Sequence, residues 1–399
     1  MTSHPQTTLS SPYGDFELQR FPKANSKQRQ ESLRAWDAAD EYLLTQAAEQ
    51  TRPNDTNLAI LNDGFGALAV ALHAFKPRSF GDSYIAQQAY LQNMQDNLLE
   101  HDSLQPLDSL TLSTQNMTGA TVEGDNDLPR FDLVLIKIPK TLALLEDQLY
   151  RLRSHIDDNT TIIAAGMTKN IHNSTLALFE NILGPTTSSL AKKKARLIFC
   201  QPQASSWSGA TPYPSQYPLE GTRFQLTNHA NVFSRASLDI GTRLLLTHMS
   251  DLPAAETIVD LGCGNGVIGI LAAEHNPSAQ LIFTDESFMA VASAQVNFEQ
   301  AFGAERPAQY LVNNCLDDMP ASSVDLVLNN PPFHQQGALA EHIARQMFSD
   351  SKRVLSAGGQ IWVIANRHLG YHVQLKRIFG NCQTLASNKK FVLLQANKR

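Results

Sequence analysis

FDLVLIKIPK (131–140) and VDLVLNNPPF (324–333) write the same strand twice and finish it differently. Outward from this pair, further stretches match in the same order. AILNDGFGALAVALHA (59–74) answers IVDLGCGNGVIGILAA (258–273), each an apolar strand, a Gly-x-Gly turn and an apolar helix. FGDSYIAQQAYLQN (80–93) answers FTDESFMAVASAQVN (283–297), with Asp82 standing for Asp285. NTTIIAAG (159–166) answers GGQIWVIAN (358–366), and KKKARLIF (192–199) answers NKKFVLLQ (388–395). A shared order across so many short matches marks one framework used twice. In this alignment Gly64 and Gly66 fall on Gly262 and Gly264, and Leu68 takes the place of Gly266.

Strands alternating with helices of this length make βαβ units, so each half is an α/β domain with a mostly parallel sheet. Residues 201–221 are rich in Pro, Ser and Gly and read as a linker. The expected layout is a flexible tail over 1–15, a first domain over 16–200 and a second over 222–399. With 42% hydrophobic and 18% charged residues in a chain of 399, ordinary cores can form. The net charge of −6 argues against a polybasic binder but leaves room for a local basic stripe. No apolar run approaches the ~18 residues of a membrane span, and the N-terminal stretch lacks a secretory apolar core. Cys200, Cys263, Cys315 and Cys382 are scattered without a CxxC pair. No metal site or disulfide framework is therefore expected, and the setting expected is reducing and cytoplasmic.

In an open parallel sheet, ligands bind beyond the carboxyl ends of the strands. The loop Asp260-Leu-Gly-Cys-Gly-Asn-Gly lies there, and Gly262, Gly264 and Gly266 let backbone approach a ligand closely. Its G-x-G-x-G spacing is not the G-x-G-x-x-G of a nicotinamide site, where a pyrophosphate seeks a helix N-terminus. It resembles motif I of the class I S-adenosylmethionine-dependent methyltransferases. That ligand carries a cationic sulfonium and an ammonium, which suit a nearby carboxylate such as Asp260. Asp285, ending the next strand, can accept from both ribose hydroxyls. The resemblance places Asn314 against the adenine ring. The bland alternative is a tight strand–helix turn, but Asp285 and the Asn-Pro-Pro-Phe loop follow in the right order.

Asn330-Pro331-Pro332-Phe333 is an unusual end for a central strand. Two prolines stiffen it and free its carbonyls to accept. An exocyclic amino group on a base is a poor nucleophile, because its lone pair is delocalised into the ring. Two acceptors on its N–H bonds favour the pyramidal form that attacks a methyl group, and the Asn330 side-chain oxygen with the Pro331 carbonyl supplies them. Phe333 offers a face for base stacking. The alternative is a proline-terminated edge strand with Phe333 in the core. Cys315 and Cys263 lack the context of a nucleophile for ring-carbon transfer. His334 reads as a loop histidine. In NVFSRASLDIGTRLLL (231–246), positions 238, 240, 244 and 245 are expected to pack under the cofactor. Phe233 and Asp239 either edge the cofactor site or serve packing and capping.

In the first domain Lys137-Ile-Pro-Lys140 replaces Asn-Pro-Pro-Phe, and neither amine acceptor remains. The expectation is a methyltransferase-like fold without catalysis. Lys137, Lys140 and the cluster Lys192, Lys193 and Lys194 suit phosphate contacts, or are ordinary solvated lysines.

Taken with LQRFP (18–22), AADEYLL (38–44), IKIPKTLALLEDQL (136–149) and NPPFHQQ (330–336), the chain resembles the bacterial rRNA guanine-N2 methyltransferases. The likeness is to the large-subunit type, with the small-subunit type as its paralogue. It implies two tandem Rossmann-like methyltransferase domains, the N-terminal one degenerate, with S-adenosylmethionine as co-substrate. It also implies a guanine N2 in 23S rRNA as target, on naked RNA or an early assembly intermediate. Alternatives are a 16S rRNA guanine, a protein glutamine N5, or a non-catalytic RNA-binding factor.

Overall fold

The computed structural model describes residues 7–22, 34–50, 56–99, 106–112, 114–115, 121–123, 128–235, 237–332 and 338–399. The chain divides into two compact units, Met1–Pro212 and Tyr213–Arg399.

The first unit runs β1 (Thr8–Ser11), β2 (Gly14–Glu17), α1 (Ala38–Ala47), β3 (Leu58–Leu61), α2 (Ala67–Ala71), β4 (Arg78–Gly81) and α3 (Tyr84–Asp96). It continues with β5 (Leu107–Asp108), the small pair β6 (Thr114–Gln115) and β7 (Thr121–Glu123), and β8 (Leu133–Lys137). It ends with α4 (Leu142–Leu152), β9 (Thr161–Met167), α5 (Asn173–Ile182), β10 (Thr186–Ser188) and β11 (Ala195–Cys200). The second unit runs β12 (Ser215–Pro218), β13 (Gln225–Asn228), α6 (Ile240–Leu246), β14 (Thr257–Leu261), α7 (Val267–His275), β15 (Gln280–Asp285) and α8 (Phe288–Phe302). It continues with β16 (Ala308–Val312), β17 (Val324–Asn329), α9 (Ala338–Val354), β18 (Leu355–Asn366), α10 (Tyr371–Phe379), β19 (Gln383–Ser387) and β20 (Phe391–Asn397).

Each unit holds a seven-stranded sheet. The orders are β5-β4-β3-β8-β9-β11-β10 and β16-β15-β14-β17-β18-β20-β19. Strand for strand they are the same topology: five parallel strands, one antiparallel strand (β11 or β20), and a last strand (β10 or β19) that pairs antiparallel to it and so runs with the first five. The central strands read as nearly continuous apolar runs, as TIVDL and LVLIK do, because helices cover both faces. Two buried apolar clusters in each unit fill those faces.

The duplicated unit is larger than the sequence suggested. The flexible tail expected over 1–15 is, from residue 8, the hairpin β1–β2, with Leu9 and Phe16 buried. The linker expected over 201–221 is not a spacer. The division falls at Pro212, and β12 pairs with β13 in a matching hairpin. One buried asparagine holds the same place in each unit where the hairpin segment meets the fold, and in the first unit Asn97 adds two bonds to Glu17. Asn93 accepts from the Gln19 N–H and donates to the carbonyls of Gln19 and Phe65. Asn297 accepts from the Thr227 N–H and donates to the carbonyls of Thr227 and Asn265.

Strand pairing fixes how the halves superimpose. Leu61 pairs with Ile136 and Phe80, and Leu261 pairs with Asn329 and Thr284. Lys137 therefore stands where Asn330 stands, as the DLVL repeat implied. The glycine loops align two residues away from the sequence match. Gly66 and Gly266 are the N-caps of α2 and α7, both left-handed at φ 80° and 78°. The third glycine is thus retained, and Leu68 falls on Ile268. The glycine that is lost is the first, with Asn62 (φ 63°) in place of Gly262 (φ 70°). The second strand also shifts. Ser83 and Ser287 cap α3 and α8, so Gly81 matches Asp285 and Asp82 matches Glu286. The expected survival of the ribose carboxylate in the first unit is overturned.

Candidate active site

In the second unit β14 delivers its chain into the glycine loop. A Cβ on Gly264 would meet nothing within 4 Å, so that peptide faces open space. A Cβ on Gly266 would lie 2.9 Å from the Ala294 Cβ, so this glycine lets α7 close on α8. Asp285 leaves β15 with one oxygen accepting from the Gly264 N–H (3.0 Å) and the other from the Ser287 N–H (3.1 Å). Burial raises its pKa, and these amides oppose the rise.

Asp260 is fully buried beneath the loop. Its Oδ2 accepts from the Gly269 N–H in the first turn of α7 (2.8 Å). Its Oδ1 has no hydrogen-bond partner among the described residues, and burial pushes its pKa up to about 8. In this structure Asp260 braces the helix start. Asn314 is buried in the turn after β16, donating to Asp317 (2.8 Å) and anchored beside Asp285 through the Asn313 N–H.

β17 ends at the same edge. Asn329 is buried and ties the strand end to the Leu261 carbonyl (2.8 Å). Asn330 donates through Nδ2 to Thr242 Oγ1 (3.1 Å), and its buried Oδ1 has no partner among the described residues. Pro331 is buried. Phe333 and His334 lie outside the described residues. Asp239 caps α6 by accepting from the Thr242 N–H, so its role is capping. Leu245 of that helix is buried as expected, but Ile240 is 61% exposed and Phe233 is 48% exposed.

The residues fit S-adenosylmethionine: an open glycine loop, a carboxylate at the second strand end and a buried asparagine at the next. The first unit fails the same test. Asn62 donates to the Lys137 carbonyl (3.1 Å), and Asn62 and Gln148 exchange two amide hydrogen bonds of 2.8 Å. Gln148 continues to Ser109 (2.8 Å). A polar cluster thus stands in the first unit where Gly262 stands in the second, while Gly64, like Gly264, still faces open space. Asp63 takes over the bracing that Asp260 performs, accepting from the amides of Leu68 and Ala69. Burial raises its pKa to about 6.

Lys137 is held in an ion pair rather than presented to solvent. Its Nζ lies 2.9 Å from Asp37 and 2.7 Å from Asp40, and the side chain is only 14% exposed. Burial alone would lower its pKa, but the two carboxylates outweigh that and hold it above its ordinary value. Lys140, Lys192, Lys193 and Lys194 are exposed, with Lys193 paired to Glu41 (2.8 Å).

The strand topology reveals basic residues that the sequence reading passed over. The turn Lys192–Ala195 before β11 matches Asn388–Phe391 before β20, each closed by the same backbone bond. The first turn meets the end of β9 through the Thr168 N–H and Lys194 carbonyl, and the second meets the end of β18 through Arg367 and Lys390. Lys389, Lys390, Arg367 and His368 are exposed there, as Lys169 is in the first unit. Each sheet therefore carries a basic corner at its ligand-facing edge. Among the described residues no cluster of three metal-ligating side chains occurs, and no helix is long and apolar enough to cross a membrane.

Two family models match, an RLMG N-terminal domain over residues 6–204 and a methyltransferase small domain over residues 223–395. Full-length relatives named ribosomal RNA large subunit methyltransferase G are similar throughout. The protein of Aeromonas salmonicida is 48% identical over 99% of this chain and 100% of the relative. That of Streptomyces avermitilis is 44% identical over 98% and 99%, and that of Klebsiella pneumoniae 48% over 96% of both. Among solved structures, the 16S rRNA N2 G1207 methyltransferase of T. thermophilus, in complex with AdoMet and guanosine, shares the fold. Its TM-score is 0.72 at 17% identity, covering 98% of each chain.

Proposed function

The chain belongs to the ribosomal RNA large subunit methyltransferase G family, and from that premise we propose that it methylates the exocyclic N2 amino group of one guanine in 23S rRNA. It is an S-adenosylmethionine-dependent methyltransferase of two tandem Rossmann-like units, only the second of which retains a cofactor site. The observation that carries the target chemistry is the Asn330 Oδ1, buried, unpartnered among the described residues and set at the end of β17 beside the open glycine loop.

When bound, S-adenosylmethionine supplies an electrophilic methyl group. The chain's own work is to prepare the amine. Asn330 Oδ1 accepts one N–H bond and the Pro331 carbonyl the other, which draws the nitrogen out of conjugation and exposes its lone pair. Phe333 supplies a stacking face for the ring. No strong general base is needed, because the amine becomes acidic only after methylation and water takes the proton. Holding nitrogen, methyl and sulfur in line accounts for most of the acceleration.

The target base leaves its stack at a cost of a few kcal/mol, which favours an unpaired guanine on naked RNA or an early assembly intermediate. Lys140 and Lys192–Lys194 in the first unit, with Arg367, Lys389 and Lys390 in the second, contact the RNA backbone. This reading places the protein in the cytoplasm. Mass spectrometry of 23S rRNA guanines from cells with and without the protein tests it. An unchanged N2-methylguanine profile would sink it.

A further inference from the structure

The duplicated halves assign a role to Thr242. It is the third residue of α6, after the Asp239 cap, and Asp40 is the third residue of α1, after the Asp37 cap. Asp37 and Asp239 both accept an amide hydrogen bond in the first turn of their helices. Asp40 meets Lys137 at 2.7 Å, and Thr242 meets Asn330 at 3.1 Å. The same two positions therefore touch in both units, joining the helix start to the end of the fourth strand.

Chemistry fixes the polarity of the contact. A threonine hydroxyl either donates or accepts, so by itself it leaves the asparagine amide free to sit either way round. In the first unit the choice is forced: a lysine only donates, and a carboxylate only accepts. The catalytic unit repeats that sense, with Nδ2 donating to the threonine oxygen. The outcome matters, because the reversed amide would turn an N–H donor toward an amine that needs an acceptor. Thr242 is 3% exposed and Asn330 Oδ1 is buried, so water is poorly placed to substitute for the hydroxyl.

We propose that Thr242 is a positioning residue that holds Asn330 with its oxygen toward the reacting amine. This rests on the reading of Asn330 given above. The test is a set of variants of the full chain, assayed for methyl transfer to deproteinised large-subunit rRNA. Thr242→Val, which keeps the shape and removes the acceptor, is expected to lower kcat about tenfold, the size of one hydrogen bond. Cofactor affinity should stay within about twofold. Thr242→Ser should recover most of the rate, and in an Asn330→Ala background Thr242→Val should cost nothing more. The Asn330 side-chain amide resonance, assigned by its loss in Asn330→Ala, should shift in Thr242→Val and not in Thr242→Ser. Full activity with an unmoved resonance in the valine variant overturns the proposal, as does an equal loss in the Asn330→Ala background. A resonance that responds as expected in a protein that methylates no RNA would instead overturn the substrate and leave the contact standing.

Discussion

At the end of the fourth strand, one sheet presents an asparagine with an open oxygen and the other presents a lysine sealed between two aspartates. Around these unlike ends the scaffolding is the same. Both units keep the strand order, the left-handed glycine that starts the first helix after the loop, and the asparagine where the hairpin segment meets the fold. What differs is a handful of positions at the ligand-facing edge: Gly262 against Asn62, Asp285 against Gly81, Asn330 against Lys137, and Thr242 against Asp40. The two units thus differ at the ligand-facing edge while the sheet order beneath is the same.

The strongest way to break this comparison is to exchange roles. Lys137→Ala leaves Asp40 buried without its cation and is expected to destabilise the first unit by about 3–5 kcal/mol, read by denaturant unfolding. Asn330→Ala is expected to lower the methylation rate at least about 10²-fold with cofactor binding nearly intact, read by single-turnover transfer and calorimetry. A lysine variant that loses activity but not stability would show that the first unit still touches the chemistry.

The two matched asparagines should behave alike. Asn93→Ala and Asn297→Ala each strand a buried N–H and two carbonyls, at about 2–3 kcal/mol apiece. Differential scanning calorimetry should place the loss in the first unit for one and in the second for the other.

The buried carboxylates differ in degree. An aspartate whose folded pKa is raised is destabilising once the unfolded chain ionises, near pH 4, and the loss grows until the folded pKa is reached. For Asp63 that ceiling is about 6, and for Asp260 about 8. Stability should therefore fall as pH rises from about 4 to about 8. Asp260→Asn should flatten the fall between about pH 6 and 8, whereas Asp63→Asn should flatten it only below about 6 and give a constant gain above. A melting temperature in Asp260→Asn that still drops across that upper range would place the effect on another group.

The smallest effects belong to the basic corners. Lys389→Ala with Lys390→Ala should weaken RNA binding and reduce the salt slope by about 0.7 for each phosphate no longer neutralised. Fluorescence anisotropy across a salt series reads this directly. Equal weakening from the Lys192–Lys194 corner would make the two edges partners in one RNA grip.

The DLVL repeat could be read in register because neither strand carries an insertion. The glycine loop could not, because glycine at every second residue makes the pattern its own copy shifted by two. DGFGAL therefore fitted CGNGVIG in the wrong phase, and only the left-handed caps at Gly66 and Gly266 settled it. Asp82 misled for a related reason. An acid near a strand end looks like a ribose ligand until strand pairing shows it one residue too late. Lys137 read as a surface cation because its partner Asp40 lies far away in sequence. The glycine loop, Asp285, Asn314 and Asn330 could be singled out as candidates because the chemistry proposed for them is local. Thr242 could not, since its meaning comes from a contact across the fold.

The paired hairpins bear on how far each half is self-contained. One asparagine making the same three bonds serves both units. Each half thus brings its own closing piece and borrows none from the other. A ligand-facing edge can change its chemistry on such a frame while the frame stays sound.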